Sequence, residues 1–458
     1  MAKIVVLKIG GGILRDKNSF DRVVNIVKDK KVSGEQQIIV ISALYGVTDF
    51  LIESMNKCRE NPENVENIIK TLKKMHTDYL EFIVNPSVKQ RAEFTLTDKI
   101  SLLEKFLYGI SYLKEISPRS RDLVQSFGER LSPIVLEAFL LDNNINSKFI
   151  DAEEAGIYCK GQFENALVDL EKSKRSLLEK VKPALASTVI LLPGYYGVDE
   201  SGDVKTFGRG GTDYSAGFIA NIFDAYLEIW KDVSGFMTAD PKAVPSAKHV
   251  PFLSYGEAEE LGYFGAKILH PKTIDPLRQK NLQAEIKSIF APNVKGTIIC
   301  EKKEKCNEIM KSIAATKDIA IVSVESASMV NVPGFASLLF SKLAEKDISV
   351  DLIVTSEASI SFSLSSKNAD KAVLSVKEID KVYPCKISCE KDLSMVGVIG
   401  EGLRETCGVA GRMFSALGKA NITVKLISHG ASEINLSFVV GKNDLDKAVL
   451  AVHEEFVK

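Results

Sequence analysis

A strand-like run ends in a lysine and three glycines, Lys8-Ile-Gly-Gly-Gly12. Glycine lets backbone N–H groups approach an anion closely, and the lysine adds a point charge, so this pattern suits a phosphate. A plain strand-end turn would look the same, and the P-loop pattern G-x-x-x-x-G-K-[ST] does not occur in the chain. A second stretch is Thr206-Phe-Gly-Arg-Gly-Gly-Thr-Asp-Tyr-Ser-Ala216. A helical run follows it, which Thr212 or Asp213 can cap, and the free N–H groups of a helix start attract anions. Arg209 offers a planar fork for a carboxylate or a phosphate. Three weaker stretches remain. Ser126-Phe-Gly-Glu-Arg-Leu-Ser132 reads as a helix start carrying a glutamate. Trp230-Lys-Asp-Val-Ser-Gly-Phe-Met-Thr-Ala-Asp-Pro241 runs from a strand end into a loop with two aspartates, where α/β sheets bind ligands. Tyr263-Phe-Gly-Ala-Lys-Ile-Leu-His-Pro271 sets Lys267 in an apolar surround, where a lysine needs a reason, while His270 reads as structural.

The elements that must position these residues alternate strand and helix. Residues 4–9 and 38–42 are continuous apolar runs, as in strands buried on both faces. Between them Phe20, Val23, Val24 and Val27 follow helical spacing. Further strand-like runs are 187–192, 225–230 and 284–290, and residues 50–145 read as a largely helical insertion. The predicted fold over 1–300 is therefore a three-layer αβα domain with a largely parallel sheet.

The remaining residues carry an internal repeat. Phe340-Ser-Lys-Leu-Ala-Glu-Lys-Asp-Ile-Ser-Val-Asp-Leu-Ile353 matches Phe414-Ser-Ala-Leu-Gly-Lys-Ala-Asn-Ile-Thr-Val-Lys-Leu-Ile427, and Lys371-Ala-Val-Leu-Ser-Val376 matches Lys447-Ala-Val-Leu-Ala-Val452. Each copy reads as a ferredoxin-like βαββαβ unit, over 319–390 and 391–458. The second copy lacks a fourth strand, and an open sheet edge is a liability, so residues 311–316 are expected to supply it.

Composition narrows the function classes. Of 458 residues, 59 are Lys or Arg and 60 are Asp or Glu, which excludes a basic whole-chain field for nucleic acid. No apolar run reaches the ~18 residues of a membrane span, and the N-terminus has no signal-peptide layout. The seven cysteines are scattered, which fits reduced thiols in a cytoplasmic protein. The five histidines show no metal-ligand spacing, so no protein-held metal is expected.

Taken together, the ordered stretches resemble the aspartate kinase family of the amino-acid-kinase fold, with two C-terminal ACT-type repeats and no fused homoserine dehydrogenase. The resemblance implies transfer of the γ-phosphoryl group of MgATP to the side-chain carboxylate of L-aspartate. It implies that Lys8 contacts the transferring group, cradled by Gly10, Gly11 and Gly12, and that Arg209 grips the substrate α-carboxylate. Glu129 and Asp213 would accept from the α-ammonium, with Ser42, Thr48 and Thr212 as polar neighbours. Lys267 would pair with ATP phosphates, and Lys231, Asp232, Asp240 and Lys242 would line the nucleotide pocket. The catalytic group is thus Lys8, Asp213 and Lys267. Ile9, Gly12, Tyr195 and Lys242 depart from the family's usual residues. Another amino-acid kinase, or a non-catalytic amino-acid sensor, are the competing readings.

The same resemblance implies feedback by an end-product amino acid. Met329, Gly334, Ser349, Val350, Asp351, Ser356 and Glu357 of the first repeat are the expected effector residues. Asp351 has Lys425 as its counterpart in the second repeat, so a cationic effector, L-lysine, favours the first, with threonine, or lysine together with threonine, as the alternative effector. A homodimer through the ACT repeats, or a dimer of dimers, is the expected assembly.

Overall fold

The computed structural model describes residues 3–264, 268–301, 308–329, 333–381, 383–430 and 432–457. They form two compact units: Met1–Gly235 with Pro251–Tyr255 and Ile268–Glu301, and Phe236–Val250 with Gly256–Lys267 and Lys302–Lys458.

The first unit is built on an eight-stranded sheet. Its order is Phe252–Ser254, Thr297–Cys300, Ala284–Ser288, Tyr226–Lys231, Ile4–Ile9, Gln36–Ile41, Val189–Pro193 and Ser147–Phe149. Every pairing is parallel except that of Ala284–Ser288 with Thr297–Cys300. The strand Ile4–Ile9 buries five of its six residues, as a strand covered on both faces must. Helix Lys17–Val32 starts where the Asp16 side chain accepts from Ser19 N at 2.8 Å, and it turns Phe20, Val23, Val24 and Val27 into the core. Each such side chain contributes about 1.5–3 kcal/mol of burial. The expected helical insertion consists of Val47–Glu60, Asn64–Leu80, Pro86–Leu113 and Pro118–Asp142.

One consequence of the parallel register sets up the chemistry. Ile9 lies opposite Ile41 on one side and Trp230 on the other. The three strands therefore end together, and Gly10–Gly12 and Ser42, just past two of them, share one end of the sheet with Lys231, the last residue of the third.

The second unit carries a six-stranded sheet in which every pairing is antiparallel, ordered Ile353–Thr355, Ser359–Ser365, Ser312–Glu325, Lys386–Ile399, Asn435–Gly441 and Leu426–His429. Two long strands serve both repeats. Ser312–Thr316 pairs with Met395–Ile399, while Ile319–Glu325 pairs with Ser359–Ser365 and with the first half of Lys386–Ile399. Each long strand changes repeat at an aspartate in the left-handed region, Asp318 at φ 58° and Asp392 at φ 57°. Aspartate tolerates that conformation better than most residues, and the register shifts there.

Segments that precede residue 300 also belong to this unit. Thr238 O accepts from Ile313 N at 2.9 Å, and Thr238 Oγ1 lies 2.8 Å from His453 Nε2. Glu260 holds Ser432 Oγ at 3.0 Å and Asn435 Nδ2 at 2.8 Å. Phe264 packs on Gly397, where a Cβ would come within 2.9 Å of the ring.

Candidate active site

Lys8 points from the end of the central strand into a buried ion cluster. Its Nζ lies 2.6 Å from Asp213 Oδ1, and Lys231 Nζ lies 3.5 Å from Asp213 Oδ2. Lys8 and Asp213 are each more than nine-tenths buried. Burial pushes the Asp213 carboxyl up, but Lys8 and then Lys231 outweigh it and hold it below the ordinary carboxylate range. Burial pushes Lys231 down, and Asp213 offsets this only in part because Lys8 adds repulsion. Two cations thus face one anion, and the cluster keeps one surplus positive charge at the strand ends.

The glycines differ in what they do. A Cβ at Gly11 would sit 2.5 Å from Ala43 O, so that position admits only glycine. At Gly10 a Cβ would sit 3.2 Å from Lys8 Nζ, whereas at Gly12 it would meet nothing within 4 Å. Gly11→Ala is accordingly expected to displace the strand-end turn and to lower turnover by at least roughly tenfold, while Gly12→Ser leaves turnover within about threefold. Steady-state assays on the two variants check this contrast.

Asp213 sits in the first turn of helix Gly211–Phe223, whose N-cap is Gly210 at φ 74°. This corrects the expected cap at Thr212 or Asp213: both are already helical and buried, which frees the Asp213 carboxylate for the lysines. Thr212 packs against Gly194, where a Cβ would lie 2.9 Å from its Cα. Arg209 is exposed, set between two left-handed glycines, Gly208 and Gly210.

Glu129 corrects a second expectation. It lies inside helix Pro118–Asp142, not at a helix start. Gly128 lets this helix close on the strand end, since a Cβ there would come 2.7 Å from Ala43 Cβ. Pro133 lacks the N–H that would bond the Glu129 carbonyl. The neighbouring Ser132 Oγ donates instead to Ser42 O at 2.7 Å. Burial pushes the Glu129 carboxyl up to about 8, against the backbone N–H of Ala43 and the charge of Lys8. Its Oε2 is buried without a hydrogen-bond partner among the described residues.

Neighbouring contacts fix the helix. Arg130 binds Ser126 Oγ at 2.9 Å, Asp151 at 3.2 Å and Glu153. Asp122 accepts from Thr206 N at 2.9 Å and Thr206 Oγ1 at 2.8 Å, at the start of the glycine-rich turn. Tyr195 adopts φ 75° and donates to Gln125 Oε1 at 2.6 Å. Gln125, Ser132 and the Ala43 N–H were missed in the sequence. The one available signal was the number of polar residues along 125–132, too many for an ordinary buried helix.

Ser42 and Thr48 are half-buried, Ser42 bonded through its N–H to Ile9 O at 3.1 Å and Thr48 beside Gly128. Asp232 is exposed just past Lys231. Asp240 and Lys242 belong to the second unit, where Asp240 Oδ1 accepts from Lys242 N at 2.9 Å. Lys267 lies outside the described residues.

In the first repeat, Gly334 is the N-cap of helix Phe335–Ala344 at φ 94°, and Met329 packs against the repeat's core. Ser349 is exposed and Val350 half-buried. Asp351 N donates to Ser363 O at 2.9 Å, and burial pushes its carboxyl up. Ser356 Oγ lies 2.7 Å from Ser359 Oγ, and Glu357 is exposed in the same turn.

Comparison with known proteins decides the family. The amino acid kinase family model matches residues 3–288, and an ACT domain model matches 322–379 and 396–456. An aspartokinase of Schizosaccharomyces pombe is 32% identical over 78% of this chain and 73% of its own length. The chain belongs to the amino acid kinase family, among the aspartokinases. A bifunctional aspartokinase/homoserine dehydrogenase of Haemophilus influenzae is 32% identical over 98% of the chain, which spans 56% of that longer protein. Two solved structures of Escherichia coli aspartokinase III, each 27% identical, superpose over essentially the whole of both chains. One, with aspartate and ADP, has a TM-score of 0.82; the other, with lysine and aspartate, has 0.83.

Proposed function

We propose that the chain transfers the γ-phosphoryl group of ATP to the side-chain carboxylate of L-aspartate, giving 4-phospho-L-aspartate. The observation that carries this reading is the buried Lys8–Asp213–Lys231 cluster at the converging strand ends. The acceptor carboxylate is already ionised, with an ordinary pKa near ~3.9, so the site needs no general base. What it needs is alignment and neutralisation, because both reactants are anionic. Lys8 stands between nucleophile and phosphoryl group, and Asp213 orients Lys8 and Lys231 with both of its oxygens. Arg209 takes the α-carboxylate. Glu129, with its unpaired Oε2, takes the α-ammonium in preference to the already engaged Asp213.

The strand-end turn, with Gly11 closed to any side chain and two buried lysines beside it, fits the phosphates of a nucleotide. Mg2+ would be held mainly by those phosphates and would supply further charge neutralisation. Lys267, Asp232, Asp240 and Lys242 are proposed for the nucleotide side. A coupled ATP-turnover assay offering L-aspartate, L-glutamate and N-acetyl-L-glutamate tests the substrate. Turnover with aspartate, trapped as its hydroxamate, is expected; a preference for either other acceptor, or no turnover in folded protein, overturns the reading.

The reading extends to an early, committed step toward lysine, threonine and methionine in the cytoplasm, by a homodimer joined through its ACT repeats. L-lysine is the proposed inhibitor, bound to the first repeat. Asp351 N and Lys425 N make equivalent backbone bonds, to Ser363 O and Val439 O, so the two repeats offer opposite charges at one place in the fold. Lys425 is itself paired with Glu390 at 2.7 Å. Asp351→Ala is expected to weaken inhibition by L-lysine at least roughly tenfold with turnover retained. Unchanged inhibition in this variant would remove Asp351 from the effector site.

A further inference from the structure

Arg209 projects from a turn closed by a single backbone bond of its own, from Gly211 N to Gly208 O at 3.0 Å. Gly208 and Gly210 on either side of it are at φ 73° and 74°, and glycine is the residue with most freedom to leave such a conformation. Among the described residues, neither a hydrogen bond nor an ion pair ties down the Arg209 guanidinium. Further rigidity comes from outside the turn.

The segment His270–Thr273 supplies it. The His270 side chain packs on Gly210, so close that a Cβ there would lie 2.2 Å from the ring's Cγ. His270 Nδ1 accepts from Lys272 N at 3.3 Å and caps the short helix Pro271–Thr273, which fixes the tautomer. Lys272 then reaches back with Nζ to Phe207 O at 3.3 Å and to Asn165 Oδ1, holding the other end of the turn. The segment itself is seated on the helix that follows the turn. Thr273 O fills the notch at Gly217, and Asn221 Nδ2 donates to Pro276 O at 2.7 Å. Turn, helix and brace thus form a closed loop of contacts with Arg209 at its open side.

We propose that His270 and Lys272 are positioning residues for the substrate α-carboxylate, holding the Gly208–Gly211 turn so that Arg209 meets it without first ordering a loop. The proposal rests on the reading that Arg209 takes that carboxylate. His270 has two separable parts: its ring packs on Gly210, and its Nδ1 caps the short helix. His270→Asn keeps an acceptor for Lys272 N but removes the ring. His270→Phe keeps the ring and removes the acceptor.

The experiment is steady-state kinetics for both substrates on these variants, Lys272→Met and Arg209→Ala, with Tm and timed trypsin digestion. His270→Asn and Lys272→Met are expected to raise the aspartate KM about tenfold, with the ATP KM within about twofold and Tm little changed. His270→Phe lowers Tm by a few degrees while leaving the aspartate KM near its starting value. Trypsin, read by mass spectrometry, cuts after Arg209 several-fold faster in His270→Asn. An unchanged cleavage rate and unchanged aspartate KM in that variant overturn the brace. So does a rise of both substrates' KM in equal proportion, which marks a merely structural role. If cleavage accelerates but Arg209→Ala leaves the aspartate KM unaltered, the brace stands and the α-carboxylate assignment falls.

Discussion

Replacing Lys8 by methionine is expected to lower turnover with aspartate by roughly 10³-fold, with the KM of both substrates changed far less. The reason lies in where the charge sits. Lys8 is buried beside Asp213 in a water-poor site, where a fixed cation needs no reorganisation as two anions are brought together. Its loss also leaves Asp213 with Lys231 alone, at 3.5 Å. Lys231 still balances the Asp213 charge, so the loss of stability should stay below the about 3–5 kcal/mol that an unpaired buried charge costs. The double variant Lys8→Met with Asp213→Asn separates the two effects. It also leaves Lys231 without its carboxylate, so Tm should fall further while turnover stays as low as in the single variant. Turnover that falls only in step with Tm across the two variants would reduce Lys8 to a structural lysine.

The second large effect concerns Glu129 and pH. Its carboxyl titrates at about 8 in the free enzyme because burial disfavours the charge more than Ala43 N–H and Lys8 favour it. Between the ordinary glutamate value and about 8, the folded chain keeps a proton that the unfolded chain has lost. This residue's contribution to stability therefore declines as pH rises through that window and is level above it. Binding an ammonium group runs the other way, since it needs the carboxylate ionised. Below about 8, aspartate must expel a proton from Glu129, and its KM is expected to fall as pH rises, approaching tenfold per unit. Titration calorimetry in buffers of different ionisation enthalpy should show up to one proton released per aspartate bound at pH 7. Glu129→Gln should abolish that release, raise the aspartate KM by roughly 10²-fold and flatten its pH dependence. A glutamine variant with the same KM and the same slope would assign the ammonium to another group.

What could be read from the chain alone was whatever is local in sequence. The buried strand before Lys8, the arginine flanked by glycines at 208–211 and the helical period of Phe20, Val23, Val24 and Val27 are adjacent residues whose spacing states their geometry. The matching blocks 340–353 and 414–427 announce two copies of one unit in the same way. What the chain could not state is which distant residues meet. That Asp213 is consumed by Lys8 and Lys231, leaving Glu129 as the open carboxylate, depends on parallel strands ending in register and on a helix start capped by Gly210. From the sequence alone, Glu129 read as a helix-start residue. The fold places it inside helix Pro118–Asp142, and burial there outweighs Ala43 N–H and Lys8 in setting its proton affinity. The residues Asp240 and Lys242 read as part of one continuous strand-end loop, yet the hydrogen bonds of Thr238 to Ile313 and His453 attach their segment to the second unit. Propensity and spacing act within a few residues of each other. Charge pairing, desolvation and the choice of packing partner act across the fold, so they exist only once the tertiary structure has brought the groups together.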